Sequence, residues 1–221
     1  MKKKLIYIIP TLIIIITAIT VFLVYSFIPR LTYAYSDTYN GYLVSKAYGI
    51  SSSYVIPKEY NNKKVVGIGE KAFFSNNKIK EIIFEDPNNI IYIGRDAFYE
   101  CSNLTTIDLS KVDEIERNAF SYNYNLKDIT ISAKNIGASA FYKCTSINNI
   151  ILEEGITSIG SMAFSYTNVK NISLPKSLRN LYVDSLKYLD KLEKIDVYSI
   201  NYLTNSSEEY LSNFTSIINY I

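Results

Sequence analysis

Two landmarks recur in phase along most of the chain, and no other property limits its fold as strongly. A Leu-x-x-Ile-x-Leu pattern, with apolar substitutions, occurs as Ile79/Ile82/Phe84, Leu104/Ile107/Leu109, Leu126/Ile129/Ile131, Ile147/Ile150/Leu152, Val169/Ile172/Leu174 and Leu192/Ile195/Val197. Successive starts are separated by 25, 22, 21, 22 and 23 residues. An Ala-Phe pair keeps the same beat at Ala72-Phe73, Ala97-Phe98, Ala119-Phe120, Ala140-Phe141 and Ala163-Phe164, and degenerates to Ser185-Leu186 in the last unit. Ile-Gly precedes it at Ile68-Gly69, Ile93-Gly94, Ile136-Gly137 and Ile159-Gly160, whereas the third unit has Ile115-Glu116. A fixed period of this length is the signature of a solenoid, whose units cannot bury their apolar faces alone.

Each unit is expected to supply one short parallel strand, with the Ile and the final Leu two residues apart and both pointing inward, followed by an irregular convex side. In the second unit the inward set is Ile93, Ala97, Phe98, Leu104, Ile107 and Leu109. Burying each of the larger members is worth about 1.5–3 kcal/mol, so stacked coils supply a core that no single coil has. Cys101 and Cys144 stand three residues after the repeat phenylalanine, where other units carry Asn76 and Asn123. This alternation points to a structural filler of a narrow turn, with Asn also satisfying backbone groups there. Two coils of separation, roughly 9–10 Å, exceed the reach of a disulfide, about 7 Å between Cα atoms.

The order Ile93-Gly94, Ala97-Phe98, Cys101, Leu104-Thr105-Thr106-Ile107-Asp108-Leu109 resembles the BspA-like leucine-rich repeat family, over roughly residues 41–197. The resemblance implies a β-rich leucine-rich-repeat solenoid, surface-exposed or secreted, without catalysis. Some members of the family are adhesins that bind host matrix proteins. Gly41 to Lys64, with Tyr42-Leu43-Val44 and Tyr54-Val55-Ile56-Pro57, looks like the strand-rich cap that commonly precedes the first unit.

At the amino terminus Lys2, Lys3 and Lys4 precede Leu5–Ile28, a run of 24 residues without charge. About 20 apolar residues cross a bilayer as a helix, so an N-terminal transmembrane helix is expected. The run is longer than the apolar region of a typical signal peptide, which favours a retained signal-anchor. Thr32 and Ala34 nevertheless have small-x-small spacing, and cleavage to a secreted form stays open. With positive charge held inside, the rest of the chain lies outside the cytoplasm. The expected organisation is a signal-anchor or signal peptide over 1–28, a linker over 29–40, an N-terminal cap over 41–64, six repeats over 65–197 and a C-terminal cap over 198–221. Ser206 and Glu209 form a capping box ahead of Tyr210, Leu211, Phe214, Ile217, Ile218 and Ile221, which predicts a C-terminal amphipathic helix laid over the last coil.

Composition narrows the chemistry. Setting aside the three leading lysines leaves 20 basic against 21 acidic side chains, with no basic footprint for nucleic acid. Histidine is absent, which removes the commonest metal ligand and general base. Glu114, Glu116, Glu153, Glu154, Glu208 and Glu209 could nominally supply a carboxylate pair, but none has a recurrent polar partner, and solvated surface is the preferred reading. No catalysis, cofactor or metal is expected. Tyr99, Tyr142 and Tyr166 follow the repeat phenylalanines and are ascribed to a general richness in tyrosine, of which there are 21.

The outward positions of the strand ladder fall into columns: Lys80, Thr105, Lys127, Asn148, Lys170, Glu193; then Glu81, Thr106, Asp128, Asn149, Asn171, Lys194; then Ile83, Asp108, Thr130, Ile151, Ser173, Asp196. The candidate ligand-binding residues are Lys80, Glu81, Thr105, Thr106, Asp108, Lys127, Asp128, Asn148, Asn149, Lys170 and Asn171. Their mixed charge suits an extracellular protein or glycan rather than a buried cofactor. The competing expectation is a structural or assembly protein of the envelope, packing through its solenoid or its C-terminal helix.

Overall fold

The computed structural model describes Thr17 and residues 29–182, 184–198 and 211–221. Apart from Thr17, the proposed membrane run 5–28 lies outside the described residues, as does the Ser206/Glu209 capping box. Among the described residues no helix is long and apolar enough to cross a membrane.

The chain winds into a β-solenoid, and each coil carries two strands rather than the one expected. The first ladder is built from the x-Ile pairs that precede the glycine: Tyr92–Ile93, Glu114–Ile115, Asn135–Ile136, Ser158–Ile159 and Asn180–Leu181 follow one another in parallel register. Its early rungs are longer, at Gly41–Tyr48 and Lys63–Ile68. The Leu-x-x-Ile-x-Leu pattern forms the second ladder. Ser53–Ile56 pairs with Glu81–Phe84, Ile129–Ile131 with Ile150–Leu152, and Asn171–Leu174 with Lys194–Val197. The 104–109 segment joins this ladder through a Glu81–Thr106 bridge, and Lys127 donates its N–H to the Thr105 carbonyl at 3.1 Å.

The third side is not irregular. The Ala-Phe segments stack as a ladder of tight turns, with Phe73 N–H donating to the Ala97 carbonyl, Phe98 to Ala119, Phe120 to Ala140 and Phe141 to Ala163, at 2.7–2.8 Å. Two residues of each turn hold left-handed backbone, among them Asp96 and Glu100, Ser139 and Lys143, and Met162 and Tyr166, with φ of 54–62°. None of these is glycine, so pairing between coils imposes a conformation that their side chains disfavour by about 1–2 kcal/mol each. Glycine is demanded elsewhere: a Cβ on Gly137 would lie 2.5 Å from the backbone of Glu116 and Arg117, and one on Gly160 2.5 Å from that of Ala138.

Phenylalanines fill the interior. Phe73, Phe98, Phe120, Phe141 and Phe164 are essentially inaccessible and stack in one column, with centroids 5.0, 5.2, 5.2 and 5.7 Å apart and rings within 15° of parallel. Buried Leu186 takes this place in the sixth unit, so loss of the Ala-Phe landmark does not end the core.

Both ends differ from expectation. Residues 29–40 contain the strand Arg30–Ser36, which pairs antiparallel with Gly41–Tyr48 across a turn at 37–40 and covers the first edge of the solenoid. An exposed parallel edge would leave backbone groups unpaired, and a hairpin supplies them locally. At the other end the expected amphipathic helix is replaced, among the described residues, by a 3-10 turn at Ser212–Phe214 and the strand Ile218–Tyr220. That strand extends the second ladder in parallel beside Lys194–Val197. Asn219 Nδ2 donates to Asp196 at 2.7 Å, and this bond, with the Lys194 ammonium 2.9 Å away, holds the Asp196 carboxyl below its ordinary range. The added rung pairs backbone groups of the Lys194–Val197 edge, with Ile195 N–H donating to the Ile217 carbonyl at 2.9 Å and Ile221 N–H to the Val197 carbonyl at 3.1 Å, bonds that a helix lying across the edge would not make.

Candidate binding face

The columns read from the sequence are present on the second ladder, and part of them forms a groove. Thr105, Thr106, Lys127, Asp128 and Asn148 line an open depression of about 790 Å³ together with Asn125, Thr145, Ser146 and Asn168. Asp128 organises its floor. Its Oδ1 accepts the N–H groups of Asn148 and Asn149 at 2.9 Å each, and its Oδ2 accepts Asn149 Nδ2 at 2.6 Å. Partial burial raises the pKa of this carboxyl, but the three hydrogen bonds outweigh it and hold the group below the usual carboxylate range. Asp128 is thereby committed to ordering the ladder, with Lys127 beside it as an exposed cation.

The other predicted residues lie around or beyond the groove. Lys80 and Glu81 are exposed one coil earlier, and the Lys80 carbonyl accepts both the N–H and the hydroxyl of Thr105 at 2.9 Å. Asp108 turns to its own loop, accepting from the N–H and hydroxyl of Ser110 at 2.9 and 2.7 Å. Exposed Lys170 stands 4.0 Å from Glu193 across a rung, and Asn171 is exposed beside it.

Asn125 and Asn168 were missed although the sequence carried a signal, an asparagine recurring just before the first apolar residue of the pattern at Asn103, Asn125 and Asn168. Each side-chain amide donates to a carbonyl of the preceding coil: Asn103 to Asn77 at 2.6 Å, Asn125 to Ser102 at 2.8 Å, and Asn168 to Thr145 at 2.7 Å. The amides pin neighbouring coils, and those of Asn125 and Asn168 belong to the lining of the groove.

A second exposed feature was read as bias of composition. Phe74, Tyr99, Tyr122, Tyr142, Tyr166 and Tyr188 form one continuous row on the turn side, with successive centroids 5.1, 5.3, 5.5, 5.4 and 4.7 Å apart. Lys143 Nζ lies 5.2, 5.4 and 5.7 Å from the rings of Tyr122, Tyr142 and Tyr166, within cation–π range. Burial against these neighbours raises the pKa of Tyr99 and of Tyr166. The row was hidden because its members stand at either the first or the second position after the repeat phenylalanine or, for Tyr188, after Leu186, in no regular order, which interaction between coils reconciles.

Among the carboxylates, Glu114 accepts a hydrogen bond from Tyr39 Oη at 2.8 Å, and burial with this bond raises the Tyr39 pKa. Glu154 accepts the N–H groups of Lys176 and Ser177 at 3.0 and 3.2 Å. Glu208 and Glu209 lie outside the described residues. Among the described residues no group of three or more His, Cys, Asp or Glu is placed to hold a metal.

Residues 52–135 and 132–220 match the profile of the BspA type leucine rich repeat region, in six copies. The chain belongs to the BspA-type leucine-rich repeat family. No curated protein matches the sequence. Solved structures share the fold of this repeat protein. A leucine rich cell surface protein from Faecalibacterium prausnitzii superposes with a TM-score of 0.65 at 21% identity over 78% of this chain and 55% of its own. The T. pallidum leucine rich repeat protein gives 0.52 at 22% identity over 75% of this chain and 68% of its own. The chain thus spans little more than half the length of the first of these.

Proposed function

We propose that the protein is an extracytoplasmic binding module, held at the cell membrane by residues 5–28, that recognises an extracellular protein or glycan on the polar face of its second strand ladder. The observation that carries this reading is the groove centred on Lys127 and Asp128. It is open, its lining residues are all polar or charged, and it is continuous with exposed columns above and below. Such a surface suits a partner that offers many hydrogen-bonding groups along its length, whereas a small cofactor is better held by an apolar cavity. The cell-surface description of the F. prausnitzii protein supports the location. An assembly role through a C-terminal helix has no support in residues 211–221, which form a turn and a strand.

The test is binding of the full chain to immobilised extracellular glycoproteins and to a glycan array, before and after Lys127→Glu and Lys170→Glu. Binding should fall at least tenfold while the melting temperature stays within a few degrees. Binding that withstands both reversals removes this face from the function.

A further inference from the structure

Arg30 opens the first strand, and only Pro29 separates it from the uncharged run that ends at Ile28. Two residues span at most about 7 Å, so the start of the hairpin stays at the end of that run wherever the run lies. The side chains gathered at this corner have a common chemistry. Arg30 stands opposite Tyr48 in the antiparallel register, and its guanidinium lies 5.9 Å from that ring, with Lys46 Nζ 5.3 Å from it. The Ala47 N–H donates to the Ala72 carbonyl at 2.9 Å, which brings the next turn alongside. Lys46, Lys71 and Phe74 consequently line one groove of about 310 Å³. Beside these cations, Tyr48, Ile50 and Phe74 are 42, 50 and 46% exposed, although they are large and apolar. Lys71 has Glu70 at 3.7 Å, but Glu70 is also held by Arg95 at 3.0 Å, so the corner keeps a positive excess in a chain that is otherwise near neutral.

We propose that this corner docks on an anionic lipid surface, the bilayer that residues 5–28 enter, and so fixes how the solenoid stands on the membrane. The inference rests on the reading of residues 5–28 as a membrane anchor. Aromatic rings are favoured at the level of the headgroups, and lysine and arginine are drawn to anionic lipid within a Debye length. The short tether adds a high effective concentration, because the corner cannot leave the neighbourhood of the bilayer. A rigid hairpin takes the place of the expected linker, so the anchoring point and the docking corner belong to one body.

The experiment uses the full chain reconstituted into phosphatidylcholine vesicles with or without phosphatidylglycerol. A fluorophore is attached at Ile50→Cys, Phe74→Cys or, as a remote position on the second ladder, Ile151→Cys, and quenching by a headgroup nitroxide lipid is measured. Labels at 50 and 74 should be quenched several-fold more than the label at 151, and more strongly when phosphatidylglycerol is present. Combined Arg30→Glu, Lys46→Glu and Lys71→Glu should remove the difference at an unchanged melting temperature. Equal quenching at all three positions, or no dependence on phosphatidylglycerol, overturns the proposal. Alkaline extraction separates the two readings. A chain that stays embedded with unquenched labels removes the docking corner alone, and a chain released by alkali removes the anchor and the docking with it.

Discussion

Three of the repeat phenylalanine carbonyls, those of Phe73, Phe98 and Phe120, accept a side-chain donor from the next coil in addition to the backbone N–H three residues on. Cys101 Sγ donates to the Phe73 carbonyl at 3.0 Å, Asn123 Nδ2 to the Phe98 carbonyl at 2.7 Å, and Cys144 Sγ to the Phe120 carbonyl at 3.1 Å. Alternation of Asn and Cys is thus a choice between two donors for one acceptor, and both thiols are free and buried. Burial pushes the Cys101 thiol up to about 12, and the Cys144 thiol is raised further, despite hydrogen bonds from the backbone that favour the thiolate. An unfolded thiol ionises near pH 8.5 while these remain protonated, so the unfolded state binds fewer protons above that pH. Stability should therefore be fully present below about pH 8.5 and fall as the pH rises toward 12. Replacing both cysteines with serine should flatten this slope in urea melts between about pH 8 and 9, where few tyrosines have ionised. Cys144→Ala removes one of three donors to the Phe120 carbonyl, which keeps the Asn123 N–H at 3.3 Å and Asn123 Nδ2 at 2.7 Å, and should cost no more than about 0.5–1.5 kcal/mol relative to Cys144→Ser, measured in the same melts.

Among elements, the two ladders and the ladder of turns depend on different residues. Gly137 and Gly160 let the first ladder pack against the coil before it, and Gly137→Ala would press a methyl against the Glu116–Arg117 backbone, which cannot swing away as a side chain could. We expect it to cost about 1–3 kcal/mol in denaturant unfolding, more than an exposed Ala substitution. The turns hold the opposite case. Ser139 has φ of 56°, and glycine there relieves strain that exceeds the entropy it adds to the unfolded chain. Ser139→Gly should leave the protein unchanged or more stable by about 0.5–1 kcal/mol. The phenylalanine column runs through all these elements, and Phe120 is stacked on both sides. Phe120→Ala should cost about 3–5 kcal/mol and, because each coil rests on its neighbours, lower the melting temperature of the whole array in one transition.

At the scale of the molecule, the ends decide how the solenoid is displayed. One is covered by an antiparallel hairpin that continues the chain from its apolar run, and the other is extended by a parallel rung at Ile218–Tyr220. Retention of the anchor predicts that protein from its native cell has the mass of the uncleaved chain and resists alkaline extraction. A mature form beginning at Tyr35 would remove the Arg30–Ala34 part of the hairpin and expose the Gly41–Tyr48 edge. Its solenoid should then open at that end, which hydrogen exchange of residues 41–48 would register as lost protection.

By itself the sequence determined the period, the identity of the core and the columns that face solvent, because inward and outward positions on a strand alternate whatever the strand pairs with. Ile107, Phe98 and Leu109 could be placed inside, and Thr105 and Thr106 on the face, from spacing alone. Only tertiary structure decided where additional strands form. Glu114–Ile115 and Asn135–Ile136 are two residues long and acquire strand geometry from partners about 22 residues away, and Arg30–Ser36 acquires it from the hairpin. The tyrosine row, the asparagine amides along the groove and the left-handed turns at Ser139 and Tyr166 have the same origin. Each satisfies or contacts a group on the adjacent coil, and local propensity carries no record of what the next coil presents.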